Sequence, residues 1–299
     1  MSGASLPADL QHHYLSFGTF TNPGLYKQRL IDDLPSDIRR LGVLVRKNIV
    51  HRTTLAGGNS GTNADLRFGD MTRMPWWRQP EDDILVTTAA MLAELYRRDD
   101  RGFVGDRSPQ DKLILTCRYV AVLMASILKA KGIPARARSG NAGYFEPGRS
   151  DDHWINQYWD EAGGRWVTID ADGSLSLHER FDPYDIPDGT FDFPGRAWLD
   201  IRSDNVDPAY FCHAGGERGA VVVAWSLFHD FHSLMHDENI YLHIPSLVRV
   251  ENFPNLTEQQ RAQIDELALL MLEPDANFGR LQELWNTNRE FRLLSGALL

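Results

Sequence analysis

The stretch TCRYVAVLMASILKAKGIPA, residues 116–135, decides how this chain is read. Val120, Leu123, Met124, Ile127 and Leu128 recur at helical spacing and make one apolar stripe. Lys129 and Lys131 close the last turn, Gly132 takes the C′ position and Pro134 ends the helix. Ala135 to Ser139 then reads as a strand. The start of the helix has two readings. Ser108-Pro109-Gln110-Asp111 is a capping-box pattern with proline at N1, which would begin a helix at Pro109 and bury Cys117 in its middle. Thr116 as an N-cap would instead put Cys117 in the first turn. A break near Leu115-Thr116 is the expectation.

Downstream, His153 to Trp159 and Arg165 to Asp170 read as a β-hairpin turning through Asp160 to Gly164. A short even-numbered loop sets an even residue opposite His153, so Asp170 and Asp172 share its sheet face. A thiol, an imidazole and a carboxylate therefore follow in the order Cys117, His153, Asp170. A thiol attacks a carbonyl as thiolate, and free cysteine, with a pKa near ~8.5, is mostly protonated at neutral pH. A helix N-terminus and a nearby imidazolium both lower that value. In this pattern His153 is the general base, Asp170 orients it, and the N–H of Cys117 donates to the oxyanion. Trp76, Trp77 and Asn156 are candidates for a second donor. Singly, each residue has a plainer reading: a core thiol, a structural histidine, a strand-end carboxylate.

These residues resemble the transglutaminase-like superfamily. The resemblance rests on Thr116-Cys117-Arg118, the run from Ala121 to Ala135 through Gly-Ile-Pro, His153-Trp154, and Trp166-Val167-Thr168-Ile169-Asp170. It covers Gln110 to Gly173. Leu115 stands where many members carry glycine, Trp154 follows the histidine directly, and Asp172 is an alternative third member. The resemblance implies an α+β, papain-like core, a catalytic helix packed on an antiparallel sheet, with added N- and C-terminal helices. It implies Cys117 as nucleophile, His153 as general base and Asp170 as orienting partner. The reaction implied is hydrolysis or acyl transfer at an amide or thioester carbonyl, through an acyl-thioester. An amide-forming acyltransferase with a small amine acceptor, and a non-catalytic binding or scaffold protein, are the alternatives.

The rest of the chain sets bounds. With 299 residues, 42% apolar, it can bury a sizeable core. The expected division is a helical region over 1–108, the catalytic core over 109–185 and a helical extension over 186–299, or all of these as one domain. A net charge of −10 argues against nucleic acid or an anionic membrane as the main partner. Two cysteines make no disulfide framework, no secretory signal is visible at the N-terminus, and no apolar run is long enough to span a bilayer. A cytoplasmic protein with a small-molecule or peptide-like substrate, and no cofactor, is the expectation.

Elsewhere, Leu34 to Val50 reads as a helix capped by Ser36, and a second helix starts from Asp82 or Asp83. Leu55 to Gln79 reads as loop, and Phe181 to Asp207 as an irregular Asp/Pro-rich connection. Gly219 to His236, Thr257 to Leu272 and Asn277 to Leu294 read as helices. Tyr144, Trp154 and Trp77 are candidate substrate-binding residues, with Phe145 and Trp76 beside them. A competing reading puts a metal on His229, His232 and His236, which would lie on one helix face, with His213 and His243 not far off.

Overall fold

A computed structural model describes residues 5–52, 74–173, 180–241 and 243–292. It is a mixed α+β structure that divides into two compact units. The first unit comprises Met1–Ala137 and Ile155–Pro187, the second Arg138–Trp154 and Asp188–Leu299. Elements are numbered here in chain order. The expected segments 1–108 and 109–185 fall in the first unit except for residues 138–154, and the expected extension from 186 begins close to residue 188 of the second.

The first unit is organised around helix α5, Cys117–Ala130, every residue of which is buried. A helix apolar on nearly all sides needs cover on all sides. That cover comes from α1 (Ala8–Leu15), α2 (Lys27–Asp32), α3 (Ile38–Lys47) and α4 (Thr88–Arg98), which all pack on it. Arg118 is the one charged side chain in its first turn. Its guanidinium lies over the Phe20 and Tyr119 rings, at 4.8 and 4.7 Å, and donates to the Val86 carbonyl.

No helix starts at Pro109. Pro109–Asp111 is a single 3-10 turn, Lys112 is extended, and Leu113–Leu115 forms strand β2. Thr116 is the N-cap, and its carbonyl accepts from the N–H groups of Tyr119 and Val120. Strand β2 is pinned by a buried carboxylate, since Glu81 Oε2 accepts from the Ile114 N–H at 2.8 Å.

The helix read over Leu34–Val50 is shorter than expected. Asp37, not Ser36, caps it by accepting from the Arg40 N–H at 2.7 Å. It ends at Lys47 because Asn48, fully buried, turns its amide back to the Leu44 carbonyl and across to the Val104 carbonyl. The β-branched pair Ile49-Val50 then runs as strand β1, Ile49–His51, parallel to β2. The next helix is capped by Thr87 rather than by Asp82 or Asp83, which lie in a 3-10 turn.

The hairpin is present. Strand β4 (Ser150–Asp160) pairs antiparallel with β5 (Arg165–Ile169), with Asn156 opposite Ile169 and Asp160 opposite Arg165. Odd positions of β4 therefore share a face with even positions of β5, as the sequence reading required. Trp159 and Trp166 pair edge to face across it at 5.6 Å, and the Arg136 guanidinium lies 4.0 Å from the Trp166 ring. Strand β3 (Ala135–Ala142) runs on the other side of β4. The loop read over Asn141–Asp152 is shorter than expected because both strands extend into it.

In the second unit, the start of β4 pairs parallel with β6 (Phe211–Cys212). Helix α6 (Pro194–Arg202) packs on α7 (Ala220–Leu234) and α8 (Glu258–Leu270), and α8 contacts α9 (Phe278–Thr287). Helix α6 corrects the expectation of an irregular 181–207 connection. Pro194 sits in its first turn, where the missing N–H is harmless. Trp198 is buried and donates to Asp265 Oδ1 at 2.7 Å. Thr257 and Gln260 make a reciprocal capping box on α8. Among the described residues, no helix is long and apolar enough to cross a membrane.

Candidate active site

Cys117 is the first residue of α5 and is 7% exposed. The N–H groups of a first helical turn have no acceptor within the helix, and the end carries partial positive charge. Both favour a thiolate at this position. No disulfide joins Cys117 and Cys212.

Strand pairing gives the thiol an imidazole that sequence reading had not singled out. The β1–β2 register places His51 opposite Leu115, immediately before the turn into α5. The His51 ring lies within interaction range of the Cys117 sulfur, and its Nε2 lies 3.1 Å from Asp172 Oδ2. Asp172 is the alternative third member in the sequence reading. It is held by Arg46, fully buried, whose Nε lies 3.4 Å from Asp172 Oδ1 and donates to the Asp172 carbonyl at 3.0 Å. Arg46 Nη1 also donates to the Ile49 carbonyl, tying the carboxylate's holder to strand β1.

Burial alone would lower the His51 pKa, but Asp172, with a smaller contribution from Cys117, raises it to about 9. The folded value lies above the unfolded one, so this imidazolium stabilises the fold fully below about pH 6.5 and ceases to do so as pH rises through about 9. The difference corresponds to at most roughly 3 kcal/mol. Thermal melts of wild type and His51→Gln are expected to differ most near pH 6 and to converge above about pH 9. A gap that stays constant across that range would contradict this assignment.

The other expected residues are placed as follows. Asp170 follows β5 in the first unit, is fully buried, and accepts from the Gly173 N–H at 2.7 Å through Oδ1. His153 lies on the β4 segment of the second unit, 3% exposed, with the Phe145 ring 4.8 Å and the Tyr144 ring 6.4 Å away. Asp152 accepts from the Ala214 N–H at 2.9 Å, and burial raises its pKa. Trp154 is buried with its ring 5.7 Å from His229, and Tyr144 is also buried. Trp76 and Trp77 form an exposed 3-10 turn, 77% and 63% accessible. Most of the loop read over Leu55–Gln79, residues 55–73, lies outside the described residues. Asn156, offered as an oxyanion donor, gives its amide to the Ala121 carbonyl of α5 at 2.8 Å and so joins hairpin to helix.

The histidine helix has a structural use. His232 contacts Asp237 Oδ2 and Asn239 through Nδ1 and the Phe291 carbonyl through Nε2, at 3.1, 2.9 and 2.6 Å. His229 Nε2 lies 3.3 Å from the Tyr241 carbonyl. Helix α7 ends at Leu234, and His236 adopts φ +64°, so it does not continue the helical face on which the three-histidine reading depended. Among the described residues, no group of three or more His, Cys, Asp or Glu side chains is arranged to hold a metal ion.

Residues 111–171 match the family model of the transglutaminase-like superfamily. The match covers about a fifth of the chain and contains Cys117, His153 and Asp170. His51 and Asp172 lie outside it. No curated protein matches the chain, and no solved structure does. The superfamily suggests cysteine-dependent acyl transfer or hydrolysis in general terms.

Proposed function

We propose that this protein is a cysteine hydrolase or acyltransferase acting on an amide or thioester carbonyl through an acyl-thioester on Cys117. The observation that supports it best is the position of Cys117 at the start of a buried helix, within the segment that matches the superfamily. The sulfur attacks the carbonyl carbon, the C–S bond forms, and the bond to the leaving amine or thiol breaks. By the superfamily's pattern His153 supplies the proton to the leaving group, and Asp170 holds the imidazole in the required tautomer. Water, activated by the same imidazole, then attacks the thioester and frees the thiol. Water needs no dedicated binding site, and this makes hydrolysis the first choice over transfer to a small amine.

Rapid mixing with chromogenic anilides and thioesters of small acyl groups tests the reading. A burst of product near one equivalent per chain, followed by slower turnover, is expected. Added amines that speed the second phase would identify the acceptor as an amine. His153→Gln is expected to lower kcat by about 100-fold to 10,000-fold. Turnover without any dependence on Cys117 would reject the proposal.

A further inference from the structure

We propose that His51, clamped by Asp172, is a second catalytic histidine that holds Cys117 as a thiolate before substrate arrives. This rests on Cys117 being the nucleophile and adds a residue from outside the recognised segment to its activation.

Three features place His51 in that role. The parallel pairing of β1 with β2 sets it beside the turn that opens α5. Its ring lies 3.1 Å from the carboxylate of Asp172 and within interaction range of the Cys117 sulfur. Asp172 is itself anchored by the buried Arg46, which donates to its backbone carbonyl and lies 3.4 Å from its carboxylate. Asp172 and Cys117 are titratable groups that face the ring, with Arg46 beyond Asp172. Arg52, next in the chain, is turned instead to Asp82 and Asp83, at 2.6 and 3.1 Å.

The charge count favours the ion pair. Arg46 and Asp172 cancel, so a protonated His51 leaves one positive charge in a buried cluster. A thiolate at Cys117 cancels it. The proton leaves Sγ and joins the imidazole, and no other reactant is needed. An imidazolium that stays charged to about pH 9 releases its proton reluctantly at neutral pH. It is therefore suited to hold charge and keeps the thiol's proton, while His153 enters the step protonated from solvent, gives that proton to the leaving group and regains one from the attacking water.

The test is the pH dependence of iodoacetamide alkylation at Cys117, followed by peptide mapping so that Cys212 is counted separately. Wild type is expected to reach half its limiting rate well below the ~8.5 of an ordinary thiol. His51→Gln should raise that midpoint by at least about one pH unit and slow alkylation near pH 6 by about tenfold or more. Asp172→Asn should shift it in the same direction by less. His153→Gln should shift it by clearly less than His51→Gln does. The proposal is overturned if His51→Gln superimposes on wild type, or if His153→Gln alone reproduces the shift. Nitrogen NMR of the histidine-labelled wild-type protein needs no folded variant: a neutral His51 ring near pH 7.5 would also overturn it. Loss of the acyl-transfer reading looks different, since Cys117 would then alkylate rapidly near pH 6 yet form no thioester with any acyl donor.

Discussion

Cys117→Ala is expected to lower kcat by about 10,000-fold or more, leaving only what binding and oriented dipoles supply. The expectation follows from chemistry that has no second nucleophile: the other thiol, Cys212, is buried in β6, and its sulfur is directed to the Tyr210 carbonyl at 3.6 Å. The exchange removes one sulfur from a buried helical position that accepts alanine readily, together with the charge partner of His51, so stability should fall by about 1–3 kcal/mol. Single-turnover kinetics paired with a thermal melt separate the two effects. A folded Cys117→Ala protein with full turnover would leave no enzymatic reading based on this thiol.

Asp230→Ala is expected to destabilise the second unit by about 3–5 kcal/mol. Asp230 is fully buried on α7, and both its oxygens receive the Arg138 guanidinium at 2.7 Å, a bidentate fork. Oδ1 also accepts from the Ser139 N–H at 3.1 Å, which fastens the helix to β3. Phe193 covers the other side of the guanidinium, 4.5 Å from its ring centre. Removing the carboxylate strands a buried cation and a backbone donor together. Replacing both partners, Arg138→Met with Asp230→Leu, removes the charges at once and should cost markedly less than Asp230→Ala alone. Urea titrations followed by tryptophan fluorescence give the comparison. A single substitution costing under about 1 kcal/mol would show that the pair is not held as described.

What could be read from the sequence was what carries a local signal. Thr116 before an apolar run, and Gly132 with Pro134 after it, bound α5 at both ends. The turn-rich 160–164 segment gave the hairpin, and the even length of its loop gave the shared face, while the register itself came only from the structure. His51 was missed for a physical reason. The apolar period of α3 runs on through Val50, so Ile49-Val50 looked like a last helical turn, and a strand this short has no period of its own. The signal available was Asn48, a polar residue followed by two β-branched ones, which favours a helix end and a strand start. What brings His51 to Cys117 is parallel pairing with β2, a long-range contact that no local pattern encodes. Helix α6 was hidden by composition. Asp and Pro dominate the stretch around it, while Pro194, Ala197, Trp198 and Ile201 carry its helical spacing.

Peptide mapping of protein quenched in acid within seconds of mixing with a chromogenic thioester tests the role of Cys117 most directly. The predicted result is an acyl group on the peptide that contains Cys117, removed by hydroxylamine at neutral pH. Steady turnover with that peptide unmodified, or with the acyl group on another residue, would contradict it.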